Sequence, residues 1–158
     1  MNDDAYFLRL AIQEAKEARE RGNHPFGAIL VSEDGEVLLS AQNTVNTEHD
    51  ATGHAETNLM RKASQAYSRE FLRRCAMYTS TEPCAMCSGA TYWAGVGKVV
   101  YGLSESGLYE LTGAHPDNLT MHLPCREVLA RGQQPTEIVG PLLEDEAREV
   151  HLGFWKSL

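Results

Sequence analysis

Two short stretches constrain this chain more than anything else in it. "TGHAET" sets His54 and Glu56 at i and i+2 at the head of a helical run, and "TEPCAMCSG" sets Cys84 and Cys87 at i and i+3 directly after Pro83. If the two stretches serve one site, the fold must bring two helix starts that are distant in sequence to a single point. At a helix start the i and i+3 sulfurs project from one face. The N-terminal end of the helix also stabilises the thiolate form that binds metal. Pro83 fixes the entering backbone and lacks an N–H that would go unpaired there. Two thiolates and one imidazole make three protein ligands with a fourth position open, the usual arrangement for a catalytic zinc.

Glu56, at i+2, points differently from His54 and need not bind the metal. Zinc acidifies a water towards a pKa of ~7, and a carboxylate beside it can take that proton and later deliver it to a leaving amine. Hydrolytic deamination of an amidine-like carbon needs these parts, and H-x-E followed by P-C-x-x-C is the signature of zinc nucleobase deaminases. The bland alternative is a helix-start His, an exposed Glu and two packed cysteines. The other cysteines form no second pair. Cys75 opens the apolar run "CAMYTST" and reads as a buried thiol behaving as a small hydrophobe, and Cys125 in "HLPCREVLA" as a helix-start residue. Metal is a better account of four cysteines in an intracellular chain than disulfides.

The pattern around these motifs is that of an α/β protein. Asp3 or Asp4 can cap a helix through "AYFLRLAIQEAKEARERG", whose apolar positions recur at helical spacing until Gly22 stops it. "FGAILVS" and "EVLLSAQN" read as a hairpin turned by Asp34-Gly35. A helix from about His54 to Ser68 follows, then a buried strand "CAMYTST", a short helix "CAMCSGATYWAG" and a strand "KVVYGL". Strand, helix, strand favours parallel pairing with a right-handed crossover. Beyond Ser104 the chain offers short helical pieces at "SGLYELT" and "CREVLA" and a strand at "TEIVG". "PLLEDEAREVHLGFW" reads as a closing helix opened by Pro141 and an acidic first turn. The 158 residues suit one domain, 1–158, with a central sheet and helices on both faces.

The composition narrows the partners. Net charge is −8, from 22 acidic and 14 basic residues, which argues against a nucleic-acid partner because phosphate neutralisation relies on Lys and Arg. Arg73 and Arg74, with Arg61, Lys62 and Arg69 nearby, are the candidate basic patch and read as a solvated helix face. No stretch approaches the ~18 apolar residues of a membrane span. The start "MNDDAYFLRL" lacks the features of a secretory signal, so the expected location is cytoplasmic.

With those residues in view, the chain resembles the cytidine deaminase-like superfamily, in the branch that holds bacterial guanine deaminases and tRNA adenosine deaminases. The stretches that carry the resemblance are "HPFGAILV", "AQNTVNTEHDATGHAE", "YTSTEPCAMCSGATYWA" and "KVVYG". It implies a three-layer α/β/α fold with a mixed five-stranded sheet. It also implies zinc held by His54, Cys84 and Cys87, Glu56 as the proton shuttle, and a homodimer. Asn43 resembles a family Asn that hydrogen-bonds substrate, and its amide can both donate and accept. Phe26 could stack on a base or start a strand in the core. Trp93 could line the pocket or pack behind the zinc helix. Glu82 could accept from a substrate N–H or serve a backbone turn. Asp117 lies roughly where guanine deaminases carry an extra acidic residue. The Tyr-Trp pair in "GATYWAG" resembles guanine deaminases, and the acidic tail "EDEAREVHLGFWKSL" lacks the basic helix of the tRNA enzymes.

The leading expectation is a zinc-dependent hydrolytic deaminase of a free, guanine-like purine base or nucleoside. The alternatives are a tRNA-specific adenosine deaminase and a non-catalytic zinc module that binds RNA or protein. The intact Glu56 argues against the last, since a binding module has no use for a proton shuttle.

Overall fold

The strand Gly27–Val31 (β1) is buried at every position, because it lies inside the sheet with a layer of helices against each face. In this computed structural model, which describes residues 3–155, Asp4–Glu20 (α1) precedes β1, and Val37–Gln42 (β2) returns antiparallel to it. Asp3 caps α1 by accepting from the Tyr6 amide, and Gly35 supplies the left-handed residue of the hairpin turn at φ +87°. Next come the short helix Val45–Glu48 (α2), Ala55–Ala66 (α3), the single turn Arg69–Leu72 (α4), strand Ala76–Thr81 (β3), Ala85–Ala94 (α5) and strand Lys98–Leu103 (β4). The rest of the chain forms Glu105–Thr112 (α6), Cys125–Ala130 (α7), strand Glu137–Val139 (β5) and Glu144–Glu149 (α8).

The strand order is β2-β1-β3-β4-β5. β1 runs antiparallel to β2 and β3, while β3, β4 and β5 are mutually parallel. The mixed five-stranded α/β sheet of the sequence reading is therefore present, including the parallel β3–β4 step across α5. Alternation along the strands divides the core in two. Ala28, Leu30, Met77 and Val99 face Leu59 and Ala63 of α3 on one side. Ile29, Val31, Tyr78 and Val100 face Leu8 and Ala11 of α1 on the other. The α1 layer sits so close that a Cβ on Gly27 would run into the backbone of Ala15, so only glycine fits where β1 begins. Truncating a residue as enclosed as Leu30 would cost about 2–5 kcal/mol.

The closing helix is shorter than the sequence implies and does not open at Pro141. The Gly140–Pro141 bond is cis, Leu143 caps the helix in a left-handed conformation, and α8 spans Glu144–Glu149 alone. Leu142 is held by the end of β4, its amide donating to the carbonyls of Tyr101 and Gly102. Leu142 and Leu143 pack against the core cluster around Leu8 and Tyr78, and that burial overrides the helical pattern. Beyond α8 the chain continues as a series of turns to Trp155; Lys156 lies outside the described residues. No helix among the described residues is long and apolar enough to cross a membrane.

Candidate active site

Two helix N-termini meet at one point. His54 is the residue before α3 and Cys84 the residue before α5, both in extended conformation, so each side chain projects from its helix mouth instead of lying along the barrel. The entry to α3 is braced: the Thr44 amide donates to Gly53 O, and Asn58 Nδ2 donates to Gln42 O and Thr44 Oγ1. Ser88 does the same for α5, its hydroxyl donating to Pro83 O. His54 Nδ1 then stands 3.5 Å from Cys84 Sγ and 3.6 Å from Cys87 Sγ, and Thr57 Oγ1 lies 3.2 Å from Cys87 Sγ.

These distances can be tested against a metal. With Zn–N of ~2.0–2.1 Å and Zn–S of ~2.3 Å at tetrahedral angles, the N···S separation is ~3.5–3.6 Å. The three ligand atoms lie within 4.8 Å of one another. The set fits a zinc without rearrangement. Its electrostatics agree with that use: hydrogen bonding from the Cys87 thiol and the His54 ring holds the Cys84 thiol well below its ordinary range. Cys87, which supplies the proton in that pair and is buried, is pushed up.

Glu56 is buried inside the first turn of α3, 5% exposed, with Thr79 Oγ1 of β3 at 3.1 Å from its Oε2. Burial, and then the negative charge of Cys84, raise its carboxyl to about 7. A group so placed exchanges a proton with little driving force either way near neutral pH.

His54, Glu56 and Cys84 line a cavity of about 190 Å³, and so do Asn43, Phe26 and Glu82. Asn43 Oδ1 accepts from the Val45 amide, which leaves the Nδ2 end for the cavity. Phe26 is half-buried, with its ring edge-on to His151 and tilted against Trp155. Glu82 spends both carboxylate oxygens on backbone, accepting from the amides of Glu105 and Cys125, so it ties the starts of α6 and α7 to β3. Trp93 is not in this cavity. It is 70% exposed and borders a separate surface groove with Thr57, Met60 and Ala90, because it sits about 200° around α5 from the buried Thr91. A larger groove of about 700 Å³ between α1 and α8 contains none of the metal-ligating or carboxyl groups of the site.

Sequence reasoning missed several residues of the cavity wall: His24, Thr81, Leu108 and Asn118. It treated Asp117, also on the wall, too loosely to place. Asp117 and Asn118 come from the irregular loop after α6, where no periodicity marks a position. His24 had a readable signal in that it lies between the stop of α1 and the first hairpin strand. The end of the chain packs behind two of these wall residues: Trp155 lies against His24 and Phe26, and also against His115, and its Nε1 donates to His151 Nδ1 at 2.9 Å. No Lys or Arg among the described residues lines the cavity.

An imidazole and two thiols converging beside a buried carboxylate, on a mixed sheet of this order, are the construction of a zinc-dependent hydrolytic deaminase. Residues 1–103 match the model of the cytidine and deoxycytidylate deaminase zinc-binding region, and the chain belongs to that family. It is 43% identical over 152 residues to a probable cytosine deaminase of Schizosaccharomyces pombe, covering 96% of this chain and 92% of that one. It is 34% identical over 158 residues to the tRNA-specific adenosine deaminase of Bacillus subtilis, covering 100% and 92%. The solved structure of guanine deaminase from Bacillus subtilis superposes with a TM-score of 0.62 at 41% identity, over 70% of this chain and 69% of that one. The three relatives are named for three different substrates.

Proposed function

We propose that this protein deaminates a free amino-substituted heterocycle of nucleobase size, with a single-ring, cytosine-type base ahead of a guanine-type purine. The carrying observation is the cavity. At about 190 Å³ it is well below the ~300–1,000 Å³ of pockets that take drug-sized ligands, and Trp155 packs behind its Phe26 wall. A cytosine-type base is also the substrate named for a relative that matches nearly end to end. The Tyr-Trp pair that favoured guanine carries less weight here. Trp93 points to solvent, and the Tyr92 hydroxyl accepts from the Gln133 amide.

In this reading His54, Cys84 and Cys87 hold the zinc, which when bound supplies an acidified water as nucleophile. Asn43 holds the ring through its Nδ2. Glu56 takes a proton from the water and returns it to the departing amino nitrogen, as a C–O bond forms, the C–N bond breaks and ammonia leaves. Thr79 orients the Glu56 carboxyl. A cytoplasmic homodimer is the assembly and location that accompany this reading.

A second reading, adenosine-to-inosine editing of tRNA, draws on the 34% identity that runs the whole chain. Against it stand a cavity wall with no Lys or Arg among the described residues and the local engagement of basic residues: Arg69 with Trp93 O, Arg73 with Pro135 O, Lys62 with Ser40 O. The test is ammonia release by zinc-loaded protein from free bases, nucleosides and an anticodon stem-loop, with Glu56→Ala as blank. Turnover of free bases supports the proposal. Turnover of the stem-loop alone makes the protein an RNA editor, and equal release by wild type and Glu56→Ala leaves a zinc-binding module.

A further inference from the structure

His24 belongs to no part of the machinery described so far, yet it is one of the most firmly presented side chains on the cavity wall. Its loop is pinned on both sides. Asn23 before it donates its amide to Ala18 O, and the Asn23 Oδ1 accepts from the amides of Asn46 and Thr47. After it, the Phe26 amide donates back to His24 O at 2.8 Å, closing a tight turn around Pro25. The imidazole is packed by rings, with Phe154 edge-on at 5.8 Å and Trp155 tilted at 5.4 Å.

That packing leaves the residue 7% exposed, on the same wall as His54 and Glu56. Among the described residues, neither ring nitrogen has a hydrogen-bond partner, and the influences on its charge are burial and distant charges alone. Buried polar groups in folded proteins nearly always have a partner, and one left without pays a desolvation penalty. The His24 ring nitrogens are not sealed from the cavity, so a rigidly held imidazole with no partner among the described residues is available to a group that enters there. Burial keeps the ring neutral, with one N–H donor and one acceptor. Asp117, on the same cavity wall, opposes the burial in part through its charge.

We propose that His24 is a substrate-binding residue whose imidazole N–H donates to a ring oxo group of the heterocycle, so that the site selects amino-oxo heterocycles over amino heterocycles lacking the oxo group. This rests on the free-base reading above and deepens it by naming the second group that is read. The selection is strong in principle, because a site built to hydrogen-bond a group rejects the analogue without it far more sharply than a cavity rejects a change of shape.

The test is a cycle of variant against substrate. kcat and KM are measured for wild type, His24→Phe and His24→Gln on cytosine against 4-aminopyrimidine, and on guanine against 2-aminopurine, with zinc content and Tm recorded for each protein. Comparing variants within a pair cancels the intrinsic reactivity of each ring. The expected result is a loss of about 10- to 100-fold in kcat/KM for the oxo-bearing member in His24→Phe, mainly through KM. The oxo-free member changes less than about threefold, and His24→Gln recovers part of the loss. Equal losses on both members of a pair, or no loss, overturn the role of His24 while leaving the free-base reading intact. Failure of wild type to turn over any free base removes that reading and this inference with it. If His24→Phe does not fold, His24→Ala takes its place under the same criteria.

Discussion

Thr79 Oγ1 lies 3.1 Å from Glu56 Oε2 and 3.1 Å from the carbonyl oxygen of Thr81. A hydroxyl has a single hydrogen, so it cannot donate to both at once. When Glu56 is a carboxylate the hydroxyl serves it. When Glu56 carries a proton, the carboxyl can donate to Thr79 and the hydroxyl turns to Thr81 O. The hydroxyl thus satisfies both states of the residue assigned to move the proton.

Replacing that hydroxyl by a methyl should therefore hurt turnover more than binding. Thr79→Val is expected to lower kcat about tenfold with KM within a factor of two, while Thr79→Ser keeps most of the activity. Steady-state kinetics with zinc content as control would check it. A change confined to KM would contradict the assignment.

The C-terminal turns that pack behind the cavity wall are fastened from α1. Arg19 Nη1 donates to Val150 O at 2.9 Å and Leu152 O at 2.7 Å, and its guanidinium lies 5.5 Å from the Phe154 ring centroid. Arg19→Ala is expected to loosen residues 150–155 and raise KM severalfold, because Trp155 and Phe154 back the cavity wall. Hydrogen exchange at residues 150–155 should speed up in this variant while that of β3 does not.

Burial, with the positive charge of Arg19 adding to it, lowers His151 from 6.5 to about 4. The unfolded chain then takes up a proton near pH 6.5 that the native state accepts only near pH 4. Its contribution is fully present above about 6.5 and is lost as pH falls towards 4, amounting to about 3 kcal/mol across that window. The raised Glu56 carboxyl acts in the opposite direction over part of the same range. The informative quantity is therefore the difference in Tm between wild type and His151→Gln, which should widen in favour of wild type as pH rises from 4 to 6.5.

Chelation should destabilise the protein as well as silence it, because the zinc would tie α3 to α5. Removing the metal, or replacing Cys84 or Cys87 by Ser, is expected to lower Tm by roughly 5–10 °C. Calorimetry with and without a chelator checks this, with readdition of zinc restoring the wild type alone.

Much of the fold could be read from the chain because pattern and environment agree. The hairpin turned at Gly35 and the buried strands β1, β3 and β4 are continuous apolar runs between clear breaks, and α1 and α3 carry helical periodicity. The closing helix failed for a physical reason: Leu142 and Leu143 fit a helical pattern equally well, but the end of β4 takes their backbone and the core takes their side chains. At the site, His54, Cys84 and Cys87 announce themselves by spacing. Trp93 stood open between the pocket wall and a place behind the zinc helix because neighbours two apart on α5 face opposite ways, and sequence alone does not say which way is in; it faces neither. Glu82 stood next to the chemistry, yet its oxygens are taken by Glu105 and Cys125. His24 was marked only by its place between the stop of α1 and the first hairpin strand, because an isolated histidine in a turn has no period to belong to.

The site is assembled from two kinds of material. The atoms that could hold the metal and shuttle the proton ride on the mouths of α3 and α5, braced by β3 and inside the stretch shared with the family. Much of what surrounds them comes from beyond residue 103: Leu108 from α6 and Asp117 and Asn118 from the loop after it, with Trp155 packed behind His24 and Phe26. Such a division makes the chemistry portable: exchanging the outer segments between relatives can retune which ring is accepted while the reactive centre is inherited whole, a natural starting point for directed evolution of new deaminases.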